Sequence, residues 1–117
     1  MRLFLVVPVT LALAGCADLY GTTHCDFRET EKPPRCQQRD GAMGGAFQAL
    51  CDQTKGKSGD GACPTENVVA GCRGAVNPAQ SVTDWYYLHD TMDTDRLVTK
   101  ADVEVKCADE DAELVDP

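Results

Sequence analysis

Six cysteines, Cys25, Cys36, Cys51, Cys63, Cys72 and Cys107, are spread through a 117-residue chain, and a seventh, Cys16, closes its opening apolar run. Residues 1–15 have the layout of a secretory signal, with one positive charge at Arg2, an apolar stretch and a small-residue exit. The stretch is about a dozen residues, short of the roughly 20 that a membrane-spanning helix needs, and it contains Pro8 and Thr10. An exported chain meets an oxidising environment, so an even set of six cysteines reads as three disulfides. A metal centre is not predicted, because no C-x-x-C occurs and the only histidines are His24 and His89. No cofactor is expected either.

The exit Leu13-Ala14-Gly15-Cys16 resembles the lipobox of bacterial lipoproteins. The resemblance implies cleavage before Cys16, a diacylglyceryl thioether on its sulfur and an N-acyl chain. One acyl chain binds a membrane only marginally, whereas three make attachment effectively permanent. In some Gram-negative bacteria an aspartate directly after the cysteine retains the protein at the inner membrane. Ala17 stands there, with Asp18 one place on, so the resemblance implies the outer membrane.

The remaining chain is long enough for one small domain, which needs staples at that size. Residues 17–40 are polar, lack hydrophobic periodicity and contain Lys32-Pro33-Pro34-Arg35, so residues 16–40 are expected to be the lipidated cysteine and an irregular tether. Cys25 and Cys36 should then pair, closing a loop worth about 3 kcal/mol.

Residues 41–117 are expected to form the domain. Met43, Ala46, Phe47, Leu50 and Cys51 make a helical stripe, with Asp40 as N-cap and Gly56 as a left-handed stop. Residues 54–62 read as a glycine-rich loop without the order of a phosphate cradle. Residues 67–73 and 81–89 read as strands of an antiparallel hairpin. Asp90 to Arg96 lacks the spacing of a calcium loop and reads as a polar loop. Thr99 and Asp102 form a capping-box pair, with Val98 and Val103 as its staple, opening a helix that carries Cys107. Residues 112–115 suggest a closing strand.

There is also an internal echo: each helix with a late cysteine, Cys51 or Cys107, precedes a turn and a short extended segment. The expected fold is α+β, a small disulfide-stabilised domain with two helices on a short antiparallel sheet. Cys63 and Cys72 lie nine residues apart, roughly 30 Å if the chain between them is fully extended, so each should pair with a helix cysteine. Cys51–Cys63 with Cys72–Cys107 is preferred over Cys51–Cys72 with Cys63–Cys107.

The segments Ala62-Cys63-Pro64-Thr65, Val69-Ala70-Gly71-Cys72, Trp85-Tyr86-Tyr87 and Lys100-Ala101-Asp102 before Cys107 resemble short cysteine-stabilised lipoproteins of myxobacteria and relatives. These motifs are structural and imply no activity.

Charge narrows the function. The chain carries 19 acids and 11 bases, and most of the excess lies after residue 83, which argues against a nucleic-acid partner. A Ser-His-Asp hydrolase needs a nucleophile beside a base, but the serines past the signal are only Ser58 and Ser81, and His89 is the one histidine within the expected domain. No enzyme is expected. The favoured reading is a membrane-anchored envelope lipoprotein acting as a non-catalytic binding or structural module. Its candidate interaction surface is Trp85, Tyr86 and Tyr87, since three consecutive strand residues cannot all point inward, and its partner is an envelope protein. The alternative is an inhibitor of a lytic exported enzyme such as lysozyme, a basic target that acidity suits.

Overall fold

The computed structural model describes residues 21–41, 44–88 and 99–117. The signal stretch, Cys16, Val98 and the loop from Asp90 to Arg96 lie outside them. The described chain runs β1 (Thr22–Asp26), β2 (Arg35–Asp40), α1 (Gly44–Gln53), β3 (Lys57–Asp60), β4 (Val68–Asn77), β5 (Gln80–Tyr87), α2 (Lys100–Asp109) and β6 (Glu113–Val115). All six strands join one antiparallel sheet in the order β3-β1-β2-β5-β4-β6.

The α+β expectation is therefore overturned: the domain is mostly β, and the two ten-residue helices are subordinate to a six-stranded sheet. Much of the difference lies in residues 16–40. The stretch expected to be a tether supplies β1 and β2, which lie inside the sheet between β3 and β5. The expected loop at 54–62 contains the edge strand β3. Asp40 ends β2 instead of capping α1. The left-handed residue after α1 is Lys55, with φ of 64°, and not Gly56.

The disulfides are Cys25–Cys51, Cys36–Cys63 and Cys72–Cys107. Only the last matches the preferred pairing. The expected Cys25–Cys36 bond fails on register. Cys25 faces Gln37 and Cys36 faces Asp26, so the two cysteines point to opposite faces of the sheet. Cys63 consequently bonds a strand cysteine, not a helix one.

Among the described residues, the capping box, the hairpin and the closing strand form as their local signals suggest. Thr99 accepts from the Asp102 N–H while the Asp102 carboxylate accepts from the Thr99 N–H, completing the capping box of α2. β4 and β5 form the hairpin and β6 closes the edge.

Directly opposed residues of a ladder share a face. Cys25, Gln37, Asp84, Cys72 and Leu114 therefore point to one side, where Cys51 of α1 and Cys107 of α2 are bonded. Two apolar clusters fill that side. Phe47 and Cys51 of α1 pack on Cys25 and Phe27, and Val103 and Cys107 of α2 pack with Ala70, Cys72 and Tyr86. The other face carries Cys36, Cys63 and Tyr87, with Val68 and Trp85 packed against them.

Candidate binding trough on the helix face

Between the helices, β2 and β5 contribute the half-buried Arg35, Gln37 and Asp84 and the buried Tyr86 to a floor. Arg35 organises it. Its guanidinium donates twice to Glu31, at 2.7 and 2.9 Å, and once to Asp84, at 2.6 Å. Gln37 adds a 3.2 Å bond to the same Asp84 oxygen. The guanidinium also lies 4.7 Å from the Phe27 ring centroid, within range of a cation–π attraction. Burial works against the Arg35 charge, but the bonds and charges of Glu31 and Asp84 outweigh it, so its pKa is raised further. Arg35 is a fixed cation whose donors are directed by its partners.

Two cavities meet at this residue. One, of about 440 Å³, runs from the β1–β2 connection (Glu31, Lys32, Pro33) over Asp84 and Tyr86 to Lys106 and Glu110 on α2. The other, of about 300 Å³, follows α1 past Phe27, Phe47, Leu50 and the Cys25–Cys51 sulfurs. Glu31 and Arg35 line both. The result is a trough with an ionic end and an apolar end, divided by the Arg35–Glu31 pair. Its carboxylates are engaged: Glu31 and Asp84 by Arg35, and Glu110 by Lys106 at 3.5 Å. Such a surface suits recognition by shape and charge.

Ser58 Oγ donates to Asp52 at 3.3 Å, and His24 Nδ1 lies 3.0 Å from the Gly61 carbonyl oxygen.

The expected aromatic surface does not assemble. Tyr86 and Tyr87 are 3% and 2% exposed and point to opposite faces. Tyr86 packs with Val103 and Cys107. Tyr87 lies under the Arg28 guanidinium, which is 5.0 Å from its ring, and donates its hydroxyl to the Pro64 carbonyl. Trp85 shares the Tyr87 face, half-buried, and donates its indole N–H to Gln38 Oε1 at 3.2 Å. Its ring lies so close to β4 that a Cβ at Gly71 would meet it at 2.6 Å. The aromatics are packing residues, and the half-buried polar residues of β2 carry the floor of the trough. Reading residues 16–40 as tether concealed Arg35. The signal that could have found it was the alternation of Thr23, Cys25 and Phe27 just upstream, which marks β1 and so implies a hairpin partner.

Burial raises both tyrosine pKa values. Tyr86 goes well above the ordinary phenol range, and Tyr87 is pushed up to about 12 although the Arg28 charge opposes it. A phenol whose folded pKa is raised contributes stability below its unfolded value near 10, and that stability is lost as pH rises through the folded value. Base titration is therefore expected to unfold the domain above about pH 10, with ionisation at 295 nm from two tyrosines tracking the loss of circular dichroism. Independent ionisation of all three tyrosines near pH 10 with the fold intact would contradict this burial.

Compared with protein-family models, curated proteins and solved structures, the chain matches none. Its resemblances rest on their own residues.

Proposed function

We propose that the chain is a lipid-anchored envelope protein whose disulfide-locked β domain is a non-catalytic binding or structural module at the outer membrane of a Gram-negative bacterium. The observation that carries the reading is the use of cysteine. Three disulfides consume Cys25, Cys36, Cys51, Cys63, Cys72 and Cys107, as suits an exported domain. The one cysteine left over closes Leu13-Ala14-Gly15-Cys16. Attachment there also fixes where the domain sits. Only five residues separate Cys16 from β1, a reach of about 20 Å when fully extended. The domain is then held beside the headgroups, and the trough between its helices serves an envelope partner within that distance.

Cells grown with labelled palmitate are expected to label the protein, and Cys16→Ala is expected to abolish the label and move the domain out of the membrane fraction. Label that persists in Cys16→Ala refutes the anchor.

A further inference from the structure

The two halves of the sheet obey one numbering rule. Cys25 of β1 faces Gln37 of β2 and Ser58 of β3. Cys72 of β4 faces Asp84 of β5 and Leu114 of β6. In both halves the cysteine lies twelve residues before its hairpin partner. Each is bonded to the eighth residue of the helix that follows, Cys51 or Cys107. Each helix cysteine in turn lies seven residues before the edge-strand residue facing the first.

The helix exits match bond for bond. The Gly56 N–H donates to the Cys51 carbonyl at 3.1 Å, and the Ala112 N–H to the Cys107 carbonyl at 2.8 Å. The Thr54 N–H reaches Leu50 O at 3.3 Å, and the Glu110 N–H reaches Lys106 O at 3.2 Å. The residue between them is left-handed both times, Lys55 at φ 64° and Asp111 at φ 52°. Exchanging β1 with β4, β2 with β5 and β3 with β6 reverses the sheet order onto itself. The central seam sets the equivalent residues Gln37 and Asp84 opposite each other, as a two-fold axis through the sheet requires.

We propose that the domain is a fused dimer of two ββαβ units, residues 21–60 and 68–116, and that the β2–β5 seam is a recognition surface through which each unit takes the other as its partner. The self-complementary register is that of an isologous interface. Among the described residues no disulfide crosses the seam, and Cys36–Cys63 ties the connection between the units back to β2.

The seam has become heterotypic. Arg35 faces Tyr86, Arg39 faces Val82, and Gln37 faces Asp84. Two copies of the first unit would oppose Arg35 to Arg39 twice, and two of the second would oppose Asp84 to Asp84. Like charges directly opposed across a ladder are destabilising, so each unit selects the other. The symmetry has a further consequence. By that symmetry, the gap from the end of the second unit back to the start of the first corresponds to the one that residues 61–67 bridge.

A circular permutant tests this. It runs through residues 66–116, a second copy of residues 61–67 carrying Cys63→Ser, and then residues 21–65. It is expected to form the same three disulfides on unreduced peptide mapping, with a near-native circular dichroism spectrum. In parallel, the unpermuted chain is cut between Thr65 and Glu66 at an inserted protease site. The pieces should separate in denaturant without reductant and rejoin one to one when it is removed. Asp84→Ala should weaken rejoining about tenfold or more, through loss of a charge-assisted bond. Pieces that fail to rejoin, or that rejoin as like pairs, overturn the proposal. So does a permutant that fails to fold or pairs its cysteines otherwise, even if the pieces rejoin, because many split domains rejoin.

Discussion

Replacing Cys72 and Cys107 together with alanine is expected to lower the stability of the domain by about 4 kcal/mol. The bond closes a separation of 35 residues, and the chain-entropy relation places that loop near the upper part of the usual range. Both cysteines are 2% exposed, within the cluster of Ala70, Tyr86 and Val103, so their removal also leaves unfilled space in the core. Against a total stability of about 5–15 kcal/mol for an ordinary domain, the loss is large. The Cys25 and Cys51 pair closes a shorter separation of 26 and should cost about 0.3 kcal/mol less on the entropy account alone. Urea midpoints of the two double variants, with their slopes, provide the measurement. A loss below about 1 kcal/mol for the Cys72 and Cys107 variant would show that the unfolded chain is already constrained there.

Which parts of the fold were legible follows from where their determinants lie. The capping box of α2 is written within four residues, and the β4–β5 hairpin is announced by Asn77-Pro78 between two β-prone runs. Both are local and both form. β1 was legible in principle. Thr23, Cys25 and Phe27 are buried and alternate with the less buried Thr22, His24 and Asp26, but the period shows only if cysteine is counted as apolar, and Lys32-Pro33-Pro34 next door argued for an irregular chain. β2 was not legible. Arg35 and Arg39 lay their guanidinium groups over Phe27 and Phe47, at 4.7 and 4.5 Å, so long polar side chains cover apolar surface that the pattern assigns to hydrophobes. Disulfide pairing depends on register and face, which sequence distance does not report. Cys25 and Cys36 occupy neighbouring strands, yet an offset of one residue sends their side chains to opposite faces. The internal echo, by contrast, was present in the sequence, since the spacing from helix cysteine to edge strand is itself local. The second half of the relation, the shared register across the seam, needed the sheet. The trough was hidden for the same reason as β2, because Arg35 sits in a stretch whose composition alone suggests a solvated linker.

Gly56→Ala is expected to destabilise the domain by about 3 kcal/mol, the upper end of the range for overpacked sites, and Gly56→Val to prevent the Cys25–Cys51 bond from closing. A Cβ at Gly56 would lie 2.8 Å from Cys51 Sγ and 2.9 Å from the Phe27 ring, and closer still to Cys25 Sγ. None of these neighbours has room to give. The two sulfurs are bonded to each other, and Phe27 is held between them and the guanidinium of Arg35. The requirement is one of space, since Lys55 takes the left-handed turn. The matching position in the second half is Ala112, which packs its methyl group against the cluster under α2. Gly74→Ala supplies the control. Its Cβ meets nothing within 4 Å, and a compatible glycine-to-alanine change is neutral or mildly stabilising. Free-thiol titration and urea unfolding of the three variants separate the outcomes. If Gly56→Ala keeps its disulfide and lies within about 0.5 kcal/mol of the unaltered domain, the ordinary scatter of a surface change, then Gly56 is not the close approach that seats α1 on β1.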